Sequence, residues 1–353
     1  MTPKNFLYLA VAAALSVLFA VVSYASNNQW STGKAAGEKL FPSLSNDLSK
    51  VSGIQVRQGD ESLTLEKAGA TWGVKDRSGY PVDFAKIRTI LVGLSEAELL
   101  EGKTRRSDRY AALELEDPAA KGTKSRLVRL MGDKGAVLAE VVLGKKKFEV
   151  FGGSKSGTYV RKPGDPQTWL TNTELNASIS AKEWMRTNVL TLDAAKISRV
   201  AIEIPGEQPL AIAREGGGAD GKLAFAGFPP ADKKLKEASA AEAIARAIAS
   251  IDLEDVRKRD AAPKAGAVAV VKVESKDQPS VTLNLRKDGE TNWLWLTATG
   301  EGEAKAAAEE LSARTQGWEY KIADFKANAI LKKRADLLEP PPEPAPPAEP
   351  KKK

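Results

Sequence analysis

The chain has 353 residues, 42% of them hydrophobic and 28% charged, and 53 basic against 46 acidic residues give a net charge of +7. It holds neither histidine nor cysteine, which excludes Ser-His-Asp and Cys-His catalysis, His- or Cys-built zinc sites, haem held by those ligands, iron–sulfur clusters and disulfides. The length suits about two domains, and the interleaving of the two charge signs reads as a solvated surface rather than a nucleic-acid groove.

From Phe6 to Ala25 the chain runs 20 residues without a charge. At about 1.5 Å per residue this spans roughly 30 Å, one hydrocarbon core. Lys4 precedes the run and the next positive charge is Lys34, an asymmetry that keeps the N-terminus cytoplasmic and sends the body outward. Ser23-Tyr24-Ala25 also fits a small-x-small cleavage pattern. Residues 1–25 are thus expected as a transmembrane anchor or signal segment and 26–45 as a linker. Both readings place the body outside the cytoplasm.

Two stretches further on repeat each other loosely. Leu48–Val56 matches Ala194–Ile202, and Ser62–Lys67 matches Pro209–Arg214, each pair reading as a hairpin turning at Gly59 or Gly206. A helix follows in each half. Phe84, Ile87, Leu91 and Leu94 form one face behind an Asp83 N-cap; Ile244, Ile248 and Ile251 form the other behind a Ser239/Glu242 capping box. A second hairpin closes each half, Ser125–Gly144 against Ser280–Gly300, which equates Leu130 with Leu285 and Gly144 with Gly300. The expected fold is α+β: an N-terminal transmembrane helix, then two duplicated, mostly antiparallel-sheet domains with helices on one face. The repeats span 46–147 and 193–338, with connecting strands and a helix over 148–192. Seven of the last fourteen residues are proline, so 339–353 reads as an extended, disordered tail.

The candidate chemistry is sparse. GGSKSGTYVRKPG, Gly152–Gly164, has the glycine spacing of a phosphate loop, but Thr158 and Tyr159 stand where lysine and then serine or threonine are required. It reads as a hairpin turn. The acidic runs Glu114/Glu116/Asp117 and Asp252/Glu254/Asp255 read as solvated faces, although a carboxylate-based hydrolase would draw on such residues. Trp293 and Trp295 share one face of a strand and are expected to pack in the core, a binding platform being the alternative. Tyr159 and Arg161 share a face and are the candidate interaction surface. No catalytic, cofactor or metal residue is assigned.

The Gly157–Arg161 strand, the passage Trp184–Asp193 and the C-terminal stretch GWEYKIADFKANAILKKRADLLE together resemble the DUF4340 family of bacterial envelope proteins, over roughly Leu40 to Leu338. The resemblance implies a membrane-anchored protein found alongside ABC-type transport components related to gliding-motility systems, and it brings no catalytic residues. The resulting expectation is a non-enzymatic accessory or interaction subunit: single-pass in the inner membrane, its body periplasmic, partnered with an ABC-type permease and ATPase, with no cofactor and no nucleic acid. The alternative is an envelope glycan- or lipid-binding module.

Overall fold

The computed structural model describes residues 16–18, 37–149, 156–217, 221–260 and 269–340. Most of the expected anchor and linker, the Gly152–Lys155 part of the glycine-rich stretch and the proline-rich end lie outside the described residues. Among the described residues, no helix is long and apolar enough to cross a membrane. The chain divides into two compact units, Met1–Arg186 and Thr187–Lys353.

The first unit contains β1 (Gly53–Gln58), β2 (Glu61–Ala68), β3 (Thr71–Val74), β4 (Tyr80–Pro81), the helix α1 (Phe84–Glu96), β5 (Leu99–Gly102), β6 (Arg126–Met131), β7 (Val137–Lys147), β8 (Gly157–Arg161) and β9 (Thr168–Thr171). Its nine strands form one sheet in the order β4-β3-β2-β1-β6-β7-β8-β9-β5. Strict alternation builds it. Ile54 and Val56 of β1 lie opposite Leu130 and Val128 of β6, all buried, because side chains two apart share a face.

The second unit contains β10 (Asn188–Thr191), β11 (Ile197–Glu203), β12 (Leu210–Arg214), β13 (Leu223–Phe225), α2 (Ala240–Ala249), β14 (Ser250–Asp252), β15 (Asp255–Lys258), β16 (Ala269–Ser275), β17 (Ser280–Asp288), β18 (Thr291–Thr299), α3 (Ala304–Thr315), β19 (Trp318–Ile322) and α4 (Asp324–Ile330). Eight strands form a sheet in the order β13-β12-β11-β16-β17-β18-β19-β15, and β10 pairs with β14 apart from it. Every strand pairing in both units is antiparallel. The architecture is α+β with two large sheets.

The two sheets run in the same order once β4 is set aside: three strands, a helix, an edge strand, then four strands that return to the first. Register makes the match residue by residue. Val200 and Ile202 of β11 face Val273 and Val271 of β16, as Ile54 and Val56 face Leu130 and Val128. This corrects the expected hairpin match by one strand. The counterpart of β6 in the second sheet is β16, not β17, so Leu130 answers to Val273 and the place of Gly144 is taken by Arg286. The turn at Asp288-Gly289 resembles the one at Asp133 in composition, and that likeness outweighed strand order in the sequence.

Other expectations shift as well. The segment 148–192 is not only a connection, because it supplies β8 and β9 to the interior of the first sheet. Phe84 is 61% exposed; the buried face of α1 is Ile87, Ile90 and Leu94. Ile251 lies in β14 rather than in the helix. The Asp83 carboxylate does cap α1, accepting from the Ala85 N–H at 3.0 Å. Ser239 makes no side-chain cap, its φ of −88° and ψ of 8° lying outside the extended region that aims an N-cap hydroxyl at the helix. Glu242 instead lies near Arg246, one turn on.

Candidate functional site

Tyr159 and Arg161 alternate on β8 and point to the side opposite Val160. That side is closed, because residues 103–125, the connection from β5 to β6, fold across it. Tyr110 and Leu115 of this connection pack with Val142, Tyr159 and Leu170 into a small second core. The Arg161 guanidinium lies 4.9 Å from the centre of the Tyr110 ring and donates from Nε to the Leu115 carbonyl at 3.4 Å. The Tyr110 hydroxyl donates to the Pro166 carbonyl at 2.6 Å.

Gly144 makes this closure possible. A Cβ there would collide with the Leu113 carbonyl oxygen and come within 2.9 Å of the Leu115 side chain. Tyr159 is therefore buried and offers no interaction surface, while Arg161 is half-buried as the clamp on the covering segment. Sequence alternation placed the two residues on one face correctly but held no signal that a segment some fifty residues earlier would cover it. In that segment, a hydrogen bond from Arg106 holds the Asp108 carboxyl below its ordinary range. Glu116 accepts from the Lys124 N–H at 3.0 Å, and Asp117 accepts from the Ala119 N–H at 2.9 Å.

The equivalent face of the second sheet is built differently. Leu143 and Val160 pair in the first sheet as Leu285 and Leu294 pair in the second. Trp293 and Trp295 therefore stand where Tyr159 and Arg161 stand. Leu294 and Leu296 point into the core and are buried; the two tryptophans point the other way and are half-buried. The expectation that they pack in the core is thus corrected.

The Arg257 guanidinium lies 3.7 Å from the Trp293 ring centre, and that of Arg259 lies 5.8 Å from the Trp295 ring centre. Beneath them Glu319, fully buried, accepts from Arg286 at 2.8 Å and from Arg257 Nε at 3.0 Å, both on Oε2. Arg257 also reaches Asp288 at 3.0 Å. Among the described residues, Glu319 Oε1 and Arg286 Nε are buried without a hydrogen-bond partner. This ion-pair layer escaped the sequence reading because its members come from β15, β17 and β19, up to 62 residues apart.

The Asp252/Glu254/Asp255 run lies at β14 and β15, in a different unit from the Glu114 run. Asp255 accepts from the Val256 N–H at 2.8 Å, and Asp252 accepts weakly from Asn188 at 3.4 Å. Among the described residues, no group of three or more carboxylates is arranged to hold a metal ion.

Fold and faces define a class: an α+β protein of two large antiparallel sheets with a shared strand order. The chain belongs to the DUF4340 family, described as a domain of unknown function, whose match covers residues 72–269. No curated protein and no solved structure matches the chain.

Proposed function

We propose that this is a non-enzymatic, membrane-anchored envelope protein serving as an accessory or interaction subunit of an ABC-type transport system. Its N-terminal run would hold it in the inner membrane with the N-terminus cytoplasmic. Two sheet units, read as products of a duplication, would stand in the periplasm. The observation that carries the reading is the succession of a 20-residue uncharged run and two large sheets of one strand order, a tether followed by two broad surfaces. Family resemblance supplies the transport context.

The test is purification of the tagged full-length chain in detergent. A permease and an ATPase are expected to accompany it in stoichiometric amounts, and their absence under gentle extraction removes the transport assignment. The side of the membrane is read independently. The chain has no cysteine, so Glu290→Cys, at a side chain 97% exposed, gives a single thiol. An impermeant maleimide should label it in cells with a permeabilised outer membrane.

The glycan-binding alternative draws on Trp293 and Trp295. It is weakened by Arg257, which already occupies one face of the Trp293 ring.

A further inference from the structure

The stretch that follows β9 holds a pattern the fold does not use. TELNAS, Thr173–Ser178, contains Asn176-Ala177-Ser178, the only Asn-x-Ser or Asn-x-Thr triplet in the chain. Neither its middle residue nor Ile179 after it is proline. Triplets of this kind accept N-linked sugar in surface loops of exported proteins. The triplet alone is common, and its setting decides whether it can react.

That setting is open and extended. Residues 174–178 lie in no helix or strand, and their burial alternates. Leu175 and Ala177 are buried, at 4% and 0% exposure, whereas Glu174 and Asn176 are exposed and Ser178 is half-buried. Side chains two apart share a side of an extended chain, so the two buried residues turn Glu174, Asn176 and Ser178 outward together. Side-chain bonds hold the stretch in place. The Leu175 N–H donates to the Thr158 hydroxyl at 2.8 Å, the Trp184 indole donates to the Ser178 carbonyl at 2.8 Å, and Arg126 donates to the Ala177 carbonyl at 3.2 Å. The stretch can therefore be drawn into an enzyme cleft without unpairing a strand. Arg126 also donates to Asn176 Oδ1 at 3.0 Å. It holds the amide by its oxygen and leaves Nδ2 as the end open to reaction. Ser178 Oγ accepts from the Ser180 N–H at 3.1 Å, and its own proton remains to be donated. The Glu174 carboxylate pairs with Lys146 and is 47% exposed, a contact weak enough to be exchanged for another cation.

We propose that Asn176 is an acceptor of N-linked glycan, recognised together with Glu174 and Ser178 by a membrane oligosaccharyltransferase whose donor is a polyprenyl-pyrophosphate-linked oligosaccharide. In the transfer, Nδ2 bonds to the anomeric carbon of the first sugar as that carbon's bond to the pyrophosphate oxygen breaks. Polyprenyl pyrophosphate leaves, and one amide proton passes to a base of the transferase. Ser178 gives the enzyme a hydroxyl two residues after the acceptor, and Glu174 a carboxylate two residues before it. The inference rests on the periplasmic placement of the body, because the exported chain and the lipid-borne donor must meet on one side of the membrane.

The test is mass spectrometry of the full-length chain, purified in detergent from the cells that encode it. Trypsin releases residues 162–182 as one peptide, since Pro163 blocks cleavage after Lys162. That peptide should carry an oligosaccharide mass, placed on Asn176 by fragmentation. The mass should be absent from Asn176→Gln. Occupancy should fall about tenfold or more in Ser178→Ala and in Glu174→Gln, because a site built to bind a polar group strongly rejects the analogue lacking it. Ser178→Thr, which keeps the hydroxyl, should keep the glycan. A bare peptide from the parent chain overturns the proposal. So does full occupancy in Ser178→Ala or Glu174→Gln, or sugar that survives Asn176→Gln on a neighbouring hydroxyl. The maleimide label at Glu290→Cys is read in the same cells. Labelling with a bare Asn176 refutes the glycosylation alone, whereas the absence of both label and glycan refutes the periplasmic placement as well.

Discussion

Arg286 donates to the Glu319 carboxylate at 2.8 Å, and both side chains are buried, at 8% and 1% exposure. Arg257, partly exposed, donates to the same oxygen. The second sheet therefore carries a buried ion-pair cluster on its tryptophan face, where Arg286 lies opposite Trp293. Arg286 fills the volume that Gly144 leaves open in the first sheet, where the Leu113 carbonyl descends. At this position glycine admits the covering segment in the first sheet, and a buried arginine stands in its place in the second.

Glu319→Gln is expected to destabilise the second unit by about 3 kcal/mol, because it strands a buried guanidinium without its counter-charge. Glu319→Leu combined with Arg286→Met should recover most of that loss, since replacing both members of a buried pair by apolar groups is often neutral. Urea unfolding followed by tryptophan fluorescence reads both. An unchanged midpoint in Glu319→Gln would show that the pair contributes nothing to stability.

Gly144→Ala is expected to lift the covering segment. The added methyl meets the Leu113 carbonyl and the Leu115 side chain, and overpacking of this kind costs about 1–3 kcal/mol. The loss should be local first. Hydrogen exchange of residues 107–116 should rise before that of β1 and β6, where the main core lies. Uniform acceleration across the first sheet would argue that the segment is not a separable cover.

Tyr110 separates hydrogen bonding from packing in the same cover. Tyr110→Phe removes only the bond to the Pro166 carbonyl and should cost about 1 kcal/mol. Tyr110→Ala should cost about 3 kcal/mol or more and expose Tyr159, now 8% exposed. Nitration followed by peptide mapping would register the change as new modification at Tyr159. Protection of Tyr159 in Tyr110→Ala would mean that Leu115 alone holds the face shut.

Much of this architecture could be read in the chain, for a definite reason. Alternation over five or more residues marks a strand wherever one face is buried, so β1, β2, β6, β7, β17 and β18 were legible, and Asp-Gly and Gly-rich turns marked their hairpins. What alternation cannot carry is neighbourhood. β9 pairs with β5 across some 70 residues, and β8 and β9 are too short to announce that they complete a sheet. The same blindness hid the site. Trp293 and Trp295 were seen to share a face, but whether that face meets core, loop or solvent depends on what crosses it. The Glu319 layer is assembled from three strands that no local pattern connects.

Helix starts show the limit at its smallest scale, and they give the last expected outcome. Asp83 and Ser239 both sit immediately before helices, and both are residue types that cap. Only Asp83 is in the extended conformation, with φ −70° and ψ 110°, that lets its carboxylate reach the Ala85 N–H. Ser239 is turned into a tight lead-in, in which the Ala240 N–H already donates to the Glu237 carbonyl at 3.2 Å. Asp83→Ala should therefore cost about 1 kcal/mol, whereas Ser239→Ala should fall within about 0.5 kcal/mol of the parent. Each unit carries one of these helices, so the two variants should be compared by unfolding in the same buffer. Equal losses would mean that the Ser239 hydroxyl caps α2 in solution after all, and that the capping box legible in the sequence is real.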